Sequence, residues 1–204
     1  DQPEVAETQA NTAIFYSISN CQKGLRGISF GNFLIKQVVQ HIQQTQPHIT
    51  QFSTLSPIPA LSRAVAGDQL DEARLEQLAG SQLGELKERY QVNSLRALLL
   101  ERADQLSADH AATVQFLEKL GLAYLTGVKR GTEPYDPVAR FHLSNGASIF
   151  RINAFANRRG YGLQSSYGLM VNYLYDLSRV EQNHEQFKQK GTIDVHRSLR
   201  KRLS

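Results

Sequence analysis

The sequence predicts an α/β fold in which flanking helices cover a sheet and a helical block is inserted between sheet strands. Three observations predict it. A strand, a glycine-containing loop, a helix and a second strand follow one another near the start. A long proline-free block rich in helix-forming residues comes next. Strand-like runs of β-branched and aromatic residues then return in the last third.

The first unit has the order of a βαβ motif. Residues 12–19 are β-branched and aromatic and predict a buried strand. Residues 20–31 contain three glycines and predict a loop, and residues 32–46 have apolar residues at helical spacing before Pro47. Residues 49–55 alternate as a second strand. We therefore expect the two strands to be parallel neighbours.

The middle of the chain predicts helices. The Ser-Pro-Ile-Pro segment at 56–59 ends the second strand, and residues 71–120 carry Leu, Ala, Glu, Gln and Arg with only Gly80 and Gly84 as interruptions. Asp109 is a candidate helix cap. We interpret residues 68–120, approximately, as a helical insertion.

The last third predicts a helix, a turn and two strands. Residues 137–143 begin with a proline at a first-turn position, and Asn145-Gly146 predicts a turn. Residues 147–153 alternate as a strand, residues 158–166 predict a glycine-rich polar loop, and residues 167–176 predict another strand.

Composition excludes several classes of protein. The chain has 204 residues, 41% hydrophobic residues and a net charge of +4, which excludes a fully disordered chain. No stretch approaches the roughly 20 apolar residues of a membrane-spanning helix, so we expect no membrane partner. One cysteine, Cys21, excludes an internal disulfide framework and a multi-thiolate metal site.

Charge and the termini suggest how the chain is organised. Much of the basic excess lies in residues 192–204, which we interpret as a solvated basic tail rather than a nucleic-acid site. An anionic small molecule suits a basic protein equally well. Residues 1–11 are polar and begin without a methionine or a signal pattern, so we expect a fragment or a processed chain.

The loop between the first strand and the helix is a candidate phosphate-binding site. Backbone N–H groups and the helix dipole favour an anion there, and Arg26 adds a full charge. The spacing of its glycines matches neither a P-loop nor a dinucleotide fingerprint. The alternative is a tight turn that simply needs small residues.

Three other side chains are candidates for chemistry. Ser56 ends the second strand, at the functional edge of an open α/β sheet, but it could instead cap the next helix. His142 is flanked by apolar residues, and its alternative role is that of a buried core histidine. Tyr173 and Tyr175 are two apart on a strand and therefore share a face. No histidine spacing suggests a metal site.

Two resemblances refine these expectations. The segment from Arg26 to Gly31 resembles the acetyltransferase signature of the GNAT fold, with Ser29 where the first glycine is usual. Longer segments are similar to malonyl-CoA decarboxylases from residue 12 to about 191. Ala60 and Ala154 depart from that pattern, at positions where glycine and tryptophan are usual. The matching segments are AIFYSIS (13–19), GLxG (24–27), GxFLIK (31–36), LSPIP (55–59), DPVARFHLxNGA (136–147), RIN (151–153) and GLMVNYxY (168–175), where x is a position outside the match.

The second resemblance implies a fold and an organisation. It implies a GNAT-like catalytic domain with a mixed sheet over residues 12–191, belonging to a longer protein. The chain is then expected to lack the first sheet strands and an N-terminal helical domain. It also implies a homo-oligomer formed through that missing domain. We expect no nucleic-acid partner and a cytoplasmic location. The C-terminal Arg-Leu-Ser is not the peroxisomal Ser-Lys-Leu signal.

The resemblance also assigns site residues. It implies that Ser56, His142 and Tyr175 are catalytic, with Tyr175 placed near the other two, and that malonyl-CoA and acetyl-CoA are the ligands. No metal and no cofactor beyond the substrate's own coenzyme A are expected. Ser56 and His142 are also expected to contact the substrate, and the acyl-CoA-binding loop is Arg26, Gly27, Ile28, Ser29, Phe30, Gly31 and Asn32.

The expected chemistry is decarboxylation through an enolate. Loss of carbon dioxide from malonyl-CoA leaves negative charge on the thioester oxygen, so the site must stabilise that charge and place a proton at carbon. A histidine and a serine hydroxyl suit this task, and no G-x-S-x-G elbow indicates a serine hydrolase. Two alternatives stay open: a GNAT-like acyl-CoA transferase and an inactive acyl-CoA-binding fragment.

Overall fold

The computed structural model describes residues 10–16 and 31–203. It confirms the predicted α/β class, with a mixed five-stranded sheet covered by helices. A separate two-stranded ribbon lies beside the sheet. The strands are Thr12–Phe15 (β1), Gln51–Thr54 (β2), Ser56–Pro57 (β3), Lys129–Arg130 (β4), Glu133–Pro134 (β5), Ser148–Asn153 (β6) and Met170–Leu174 (β7).

Helices occupy most of the connections between strands. Single turns of 3-10 helix at Gly80–Gln82 and Ala103–Gln105 separate some of them. The α-helices are Gly31–Thr45 (α1), Leu61–Ala66 (α2), Glu72–Ala79 (α3), Leu83–Tyr90 (α4), Leu95–Glu101 (α5), Ala111–Gly127 (α6), Pro137–Ser144 (α7), Gly160–Ser166 (α8), Val180–Lys190 (α9) and Arg197–Leu203 (α10).

The sheet is organised around β7. One edge of β7 pairs with β2 and then β3, and the other edge pairs with β6, all antiparallel. β1 and β2 pair in parallel, with α1 between them in the chain, which confirms the predicted βαβ unit. The register along β7 is continuous, because Ser53 lies opposite Leu174 and Ser56 opposite Val171.

The helical insertion is present but divided. α2 to α6 lie between β3 and the last two strands of the sheet, and their apolar faces contribute to a single buried core with the sheet. Asp71 and Ser94 cap α3 and α5 by accepting backbone N–H groups. The predicted cap at Asp109 is wrong: α6 begins one residue later, with His110 at the cap position and no side-chain hydrogen bond to the backbone of the first turn.

Two further expectations are corrected. Residues 160–166, predicted as part of a loop, form the helix α8, which ends at Tyr167 in a left-handed conformation. The last residues do not form a solvated tail. Val195 pairs with Ile149 of β6, and Leu199 is buried. Arg202 bonds the Ile152 carbonyl and pairs with a core-facing glutamate, so packing outweighs the basic composition there.

Candidate active site

Ser56 lies where the second strand breaks and resumes. β2 ends at Thr54, the backbone N–H of Leu55 donates to the Phe15 carbonyl at the end of β1, and β3 then pairs again with β7. Ile58, in the turn that follows, is fully buried in the core. α2 begins only at Leu61, and its cap position makes no side-chain hydrogen bond, so the alternative that Ser56 caps this helix is wrong.

His142 lies in the last turn of α7. The Asp136 carboxylate starts this helix by accepting the backbone N–H groups of Val138 and Ala139, each at 3.0 Å. Gly146 ends the segment with φ 84, and a Cβ there would lie 2.1 Å from the Val180 carbonyl oxygen. Only glycine fits this close approach, so the predicted Asn-Gly turn fixes where α7 stops.

The structure brings three predicted residues into one hydrogen-bonded chain. His142 Nε2 lies 3.2 Å from Ser56 Oγ, and His142 Nδ1 lies 2.8 Å from the Tyr175 hydroxyl. All three side chains are buried. The imidazole also stacks on the Tyr173 ring, with centroids 4.6 Å apart and planes at 24°. Tyr173 and Tyr175 therefore do share a face, and both contact His142.

The direction of these hydrogen bonds follows from Thr54. Ser56 Oγ donates its proton to Thr54 Oγ1 over 2.9 Å. With the serine proton directed at Thr54, the hydrogen bond between Ser56 and His142 is donated by His142 Nε2–H. His142 Nδ1 is left without a proton and accepts the Tyr175 hydroxyl. The site thus presents a neutral imidazole with its N–H on the serine side.

Electrostatics favour the same state. Burial lowers the pKa of His142 from 6.5 to about 4, so the ring is neutral at physiological pH. Burial also raises the pKa of Tyr175 well above its usual range, so this hydroxyl keeps its proton. The amide of Asn145 opposes that rise in the pKa.

A buried carboxylate lies close to this group. Asp136 is almost inaccessible to solvent, and Tyr124 donates to its Oδ2 at 3.3 Å. Burial raises the pKa of Asp136, while the two helix N–H groups oppose that rise. Its charge contributes to the raised pKa of Tyr173. The Tyr173 hydroxyl itself has no hydrogen-bond partner among residues 10–16 and 31–203.

The predicted acyl-CoA loop is only partly covered by the structure. Arg26, Gly27, Ile28, Ser29 and Phe30 lie outside the described residues. Gly31 and Asn32 form the first two positions of α1. β1 leads into this loop, and its last residue bonds the backbone of Leu55 next to Ser56. The C-terminal end of β1 and the serine therefore lie at the same end of the parallel pair β1–β2.

Sequence reasoning missed Thr54 as part of the site. The signal was available, because residues 54 and 56 are two apart in an extended segment and their side chains fall on one face. Asn145 was seen only as a turn residue.

The described part of the chain holds no group of three or more side chains arranged to bind a metal ion. None of the described helices has the length and apolar character needed to cross a membrane.

Comparison with known proteins identifies the family. The family model of the malonyl-CoA decarboxylase C-terminal domain matches residues 1–204. The chain belongs to the malonyl-CoA decarboxylase family. The mitochondrial malonyl-CoA decarboxylase of Rattus norvegicus is 40% identical over 186 residues, and that of Anser anser anser 36% over 182 residues. Each match covers 84% of this chain and 36% of the relative.

Solved structures give the same result. The malonyl-CoA decarboxylase from Cupriavidus metallidurans is 36% identical with a TM-score of 0.79, covering 94% of this chain and 48% of that one. The malonyl-CoA decarboxylase from Rhodopseudomonas palustris is 38% identical with a TM-score of 0.74, covering 98% and 44%. This chain therefore spans about a third of the length of the curated malonyl-CoA decarboxylases and less than half of the solved ones.

Proposed function

We propose that this chain carries the catalytic centre for converting malonyl-CoA into acetyl-CoA and carbon dioxide. The observation that carries the proposal is the buried Ser56–His142 pair, with a neutral imidazole donating from Nε2. A hydrogen-bond donor whose direction is fixed before the reaction suits a step in which an oxyanion develops. Family membership supports the same substrate, since the named relatives are malonyl-CoA decarboxylases.

The proposed reaction needs donors and no strong base. The bond between the malonyl carboxylate and the α-carbon breaks, carbon dioxide leaves, and the bonding electron pair forms the thioester enolate. When the substrate binds, its thioester oxygen replaces Ser56 Oγ as the acceptor of the His142 N–H, which stabilises the developing charge, and the Ser56 hydroxyl turns from Thr54 to the departing carboxylate. The α-carbon then takes up a proton from solvent water, which yields the acetyl thioester.

The placement of the coenzyme A is a separate part of the proposal. Arg26 to Asn32 bind the pyrophosphate, chiefly through backbone N–H groups at the start of α1. The proposal is supported by position, because the preceding strand ends beside Leu55, one residue before Ser56. A thioester extending from the loop toward Ser56 would remain at one edge of the sheet.

Labelled malonyl-CoA tests the function. The chain is incubated with carboxyl-labelled malonyl-CoA, and released carbon dioxide and acetyl-CoA are counted for the unchanged chain, Ser56→Ala and Ser166→Ala. Ser166 is the matched control, since it is a buried serine whose hydroxyl bonds the Gly162 and Leu169 carbonyls away from His142. We expect Ser56→Ala to lose most malonyl-CoA turnover per folded molecule, while acetyl-CoA affinity changes little and the control stays active.

Other results would contradict the proposal. Normal turnover of folded Ser56→Ala would remove Ser56 from the mechanism. A malonyl- or acetyl-serine found by mass spectrometry would make Ser56 a nucleophile instead of a donor. Acyl transfer to an added amine without loss of carbon dioxide would favour an acyl-CoA transferase, and acetyl-CoA binding without either reaction would favour a binding role.

A further inference from the structure

The sheet opens between its two central strands at Thr54. The continuous register places Thr54 opposite Tyr173. The Tyr173 backbone N–H donates to Thr54 Oγ1 at 3.2 Å, and the Thr54 carbonyl accepts the Asn172 side-chain amide at 2.6 Å. In a regular antiparallel pair such an N–H donates to the opposite backbone carbonyl. Here the threonine hydroxyl occupies the acceptor position.

Two donors meet on this one oxygen. Besides the Tyr173 N–H, the Ser56 hydroxyl donates to Thr54 Oγ1 at 2.9 Å. A hydroxyl oxygen has two lone pairs, so both are used. A backbone N–H can only donate, and Thr54 is completely buried, so water does not compete for its hydroxyl. The Tyr173 N–H therefore fixes the hydroxyl oxygen in the sheet and occupies one of its lone pairs, and the other faces Ser56 Oγ at 2.9 Å.

The strand around Thr54 is held by further side chains. The Asn153 amide donates to Asn172 Oδ1 at 2.7 Å, and the Asn172 amide in turn donates to the Thr54 carbonyl. Ser53 Oγ donates to the Tyr173 carbonyl at 3.1 Å. These bonds cross from β6 through β7 to β2 and keep the opened part of the sheet in place.

We propose that Thr54 is a positioning residue. Its hydroxyl oxygen accepts the hydrogen bond of the Ser56 hydroxyl, and this leaves His142 to donate to Ser56 from Nε2. The proposal deepens the proposed function at the same site and rests on it for the effect on turnover. In a serine hydrolase the histidine accepts the serine proton and donates from Nδ1 to a carboxylate. Here both directions are reversed, because Thr54 accepts from the serine and the Tyr175 hydroxyl donates to Nδ1.

The first test reads the histidine tautomer without substrate. The whole chain is labelled with ¹⁵N at histidine, and the His142 signals are assigned by their absence in His142→Asn. We expect the unchanged chain to carry the proton on Nε2 at neutral pH. A proton on Nδ1 would overturn the proposal, and this measurement needs no altered residue at position 54.

The second test changes Thr54 itself. Thr54→Val keeps the shape and removes the acceptor, while Thr54→Ser keeps a hydroxyl. Thr113→Val is the matched control, because Thr113 is equally buried and hydrogen-bonds Tyr90 and His110 elsewhere in the core. We expect Thr54→Val to populate the Nδ1–H tautomer and to lower kcat by about 10- to 100-fold with KM little changed. Thr54→Ser should restore both readouts, and Thr113→Val should alter neither.

The outcomes separate the two proposals. If Thr54→Val shifts the tautomer but the unchanged chain releases no carbon dioxide, the decarboxylase function is refuted and the role of Thr54 is supported. Full decarboxylation by Thr54→Val with an unchanged tautomer would refute the role of Thr54 and leave the function standing. If Thr54→Val does not fold, a Thr54→Ser chain with an Nδ1–H tautomer or with low kcat would also overturn the positioning role.

Discussion

Lowering the pH should destabilise this protein through His142 in particular. The ring is buried against Tyr173 and Phe141, and burial lowers its pKa from 6.5 to about 4. The unfolded chain therefore takes up a proton on this residue at a higher pH than the folded chain. Folding stability is then lost as the pH falls, which is the direction expected for a basic group buried in its neutral form.

The size and the pH window follow from the two pKa values. The loss begins near pH 6.5, where the unfolded histidine protonates, and levels off below about pH 4, where the folded one protonates as well. By pH 4 it amounts to about 3 kcal/mol in the free energy of unfolding. Since most domains are stable by only about 5–15 kcal/mol, this loss is easily measured.

Urea unfolding at a series of pH values checks the prediction. The chain has no tryptophan, so far-UV circular dichroism is the suitable signal. We expect the stability difference between the unchanged chain and His142→Asn to shrink by about 3 kcal/mol between pH 7 and pH 4. His48→Asn, the same change at an exposed position, controls for the substitution itself. Curves for the unchanged chain and His142→Asn that stay parallel over this range would refute the reasoning.

Two further substitutions test the surroundings of the site and the C-terminal packing. Tyr175→Phe removes the donor to His142 Nδ1 and should lower kcat about tenfold with little effect on KM, whereas Tyr173→Phe should leave kcat unchanged, since that hydroxyl has no partner in the described part of the chain. Equal kcat values for the two variants would contradict the role of Tyr175. Leu199→Ala should cost about 2–5 kcal/mol in urea unfolding because Leu199 is buried. A cost no larger than that of the exposed Leu177→Ala would mean that the C-terminal residues do not pack as described.

Local sequence patterns predicted the elements that position the site. Alternating and β-branched residues marked the strands that became β1, β2, β6 and β7, and the proline at the start of α7 marked that helix. The order of elements along the chain was enough to predict the parallel β1–β2 pair. These features depend on residues close together in sequence, which is why they could be predicted without a structure.

The failures share a different cause. α8 contains two glycines and two serines, residues that favour loops on their own, yet it packs against α2 as a helix. The last residues are basic, but an added β-bridge and a buried leucine attach them to the domain. Thr54 shares a face with Ser56, which is a local signal, but its bonds to Asn172 and Tyr173 join residues more than a hundred positions apart. Such contacts are set by the tertiary fold, and local composition carries no record of them.

The partner of the histidine Nδ1 decides what this site is suited to do. A carboxylate there would stabilise a protonated imidazole and favour proton abstraction from serine. A tyrosine hydroxyl whose pKa burial raises offers no such charge, and the buried ring stays neutral. Decarboxylation requires no proton abstraction, because the electrons that form the enolate come from the carbon–carbon bond that breaks. A fixed N–H donor is what that enolate requires, and the chain from Tyr175 through His142 and Ser56 to Thr54 holds the N–H in that direction.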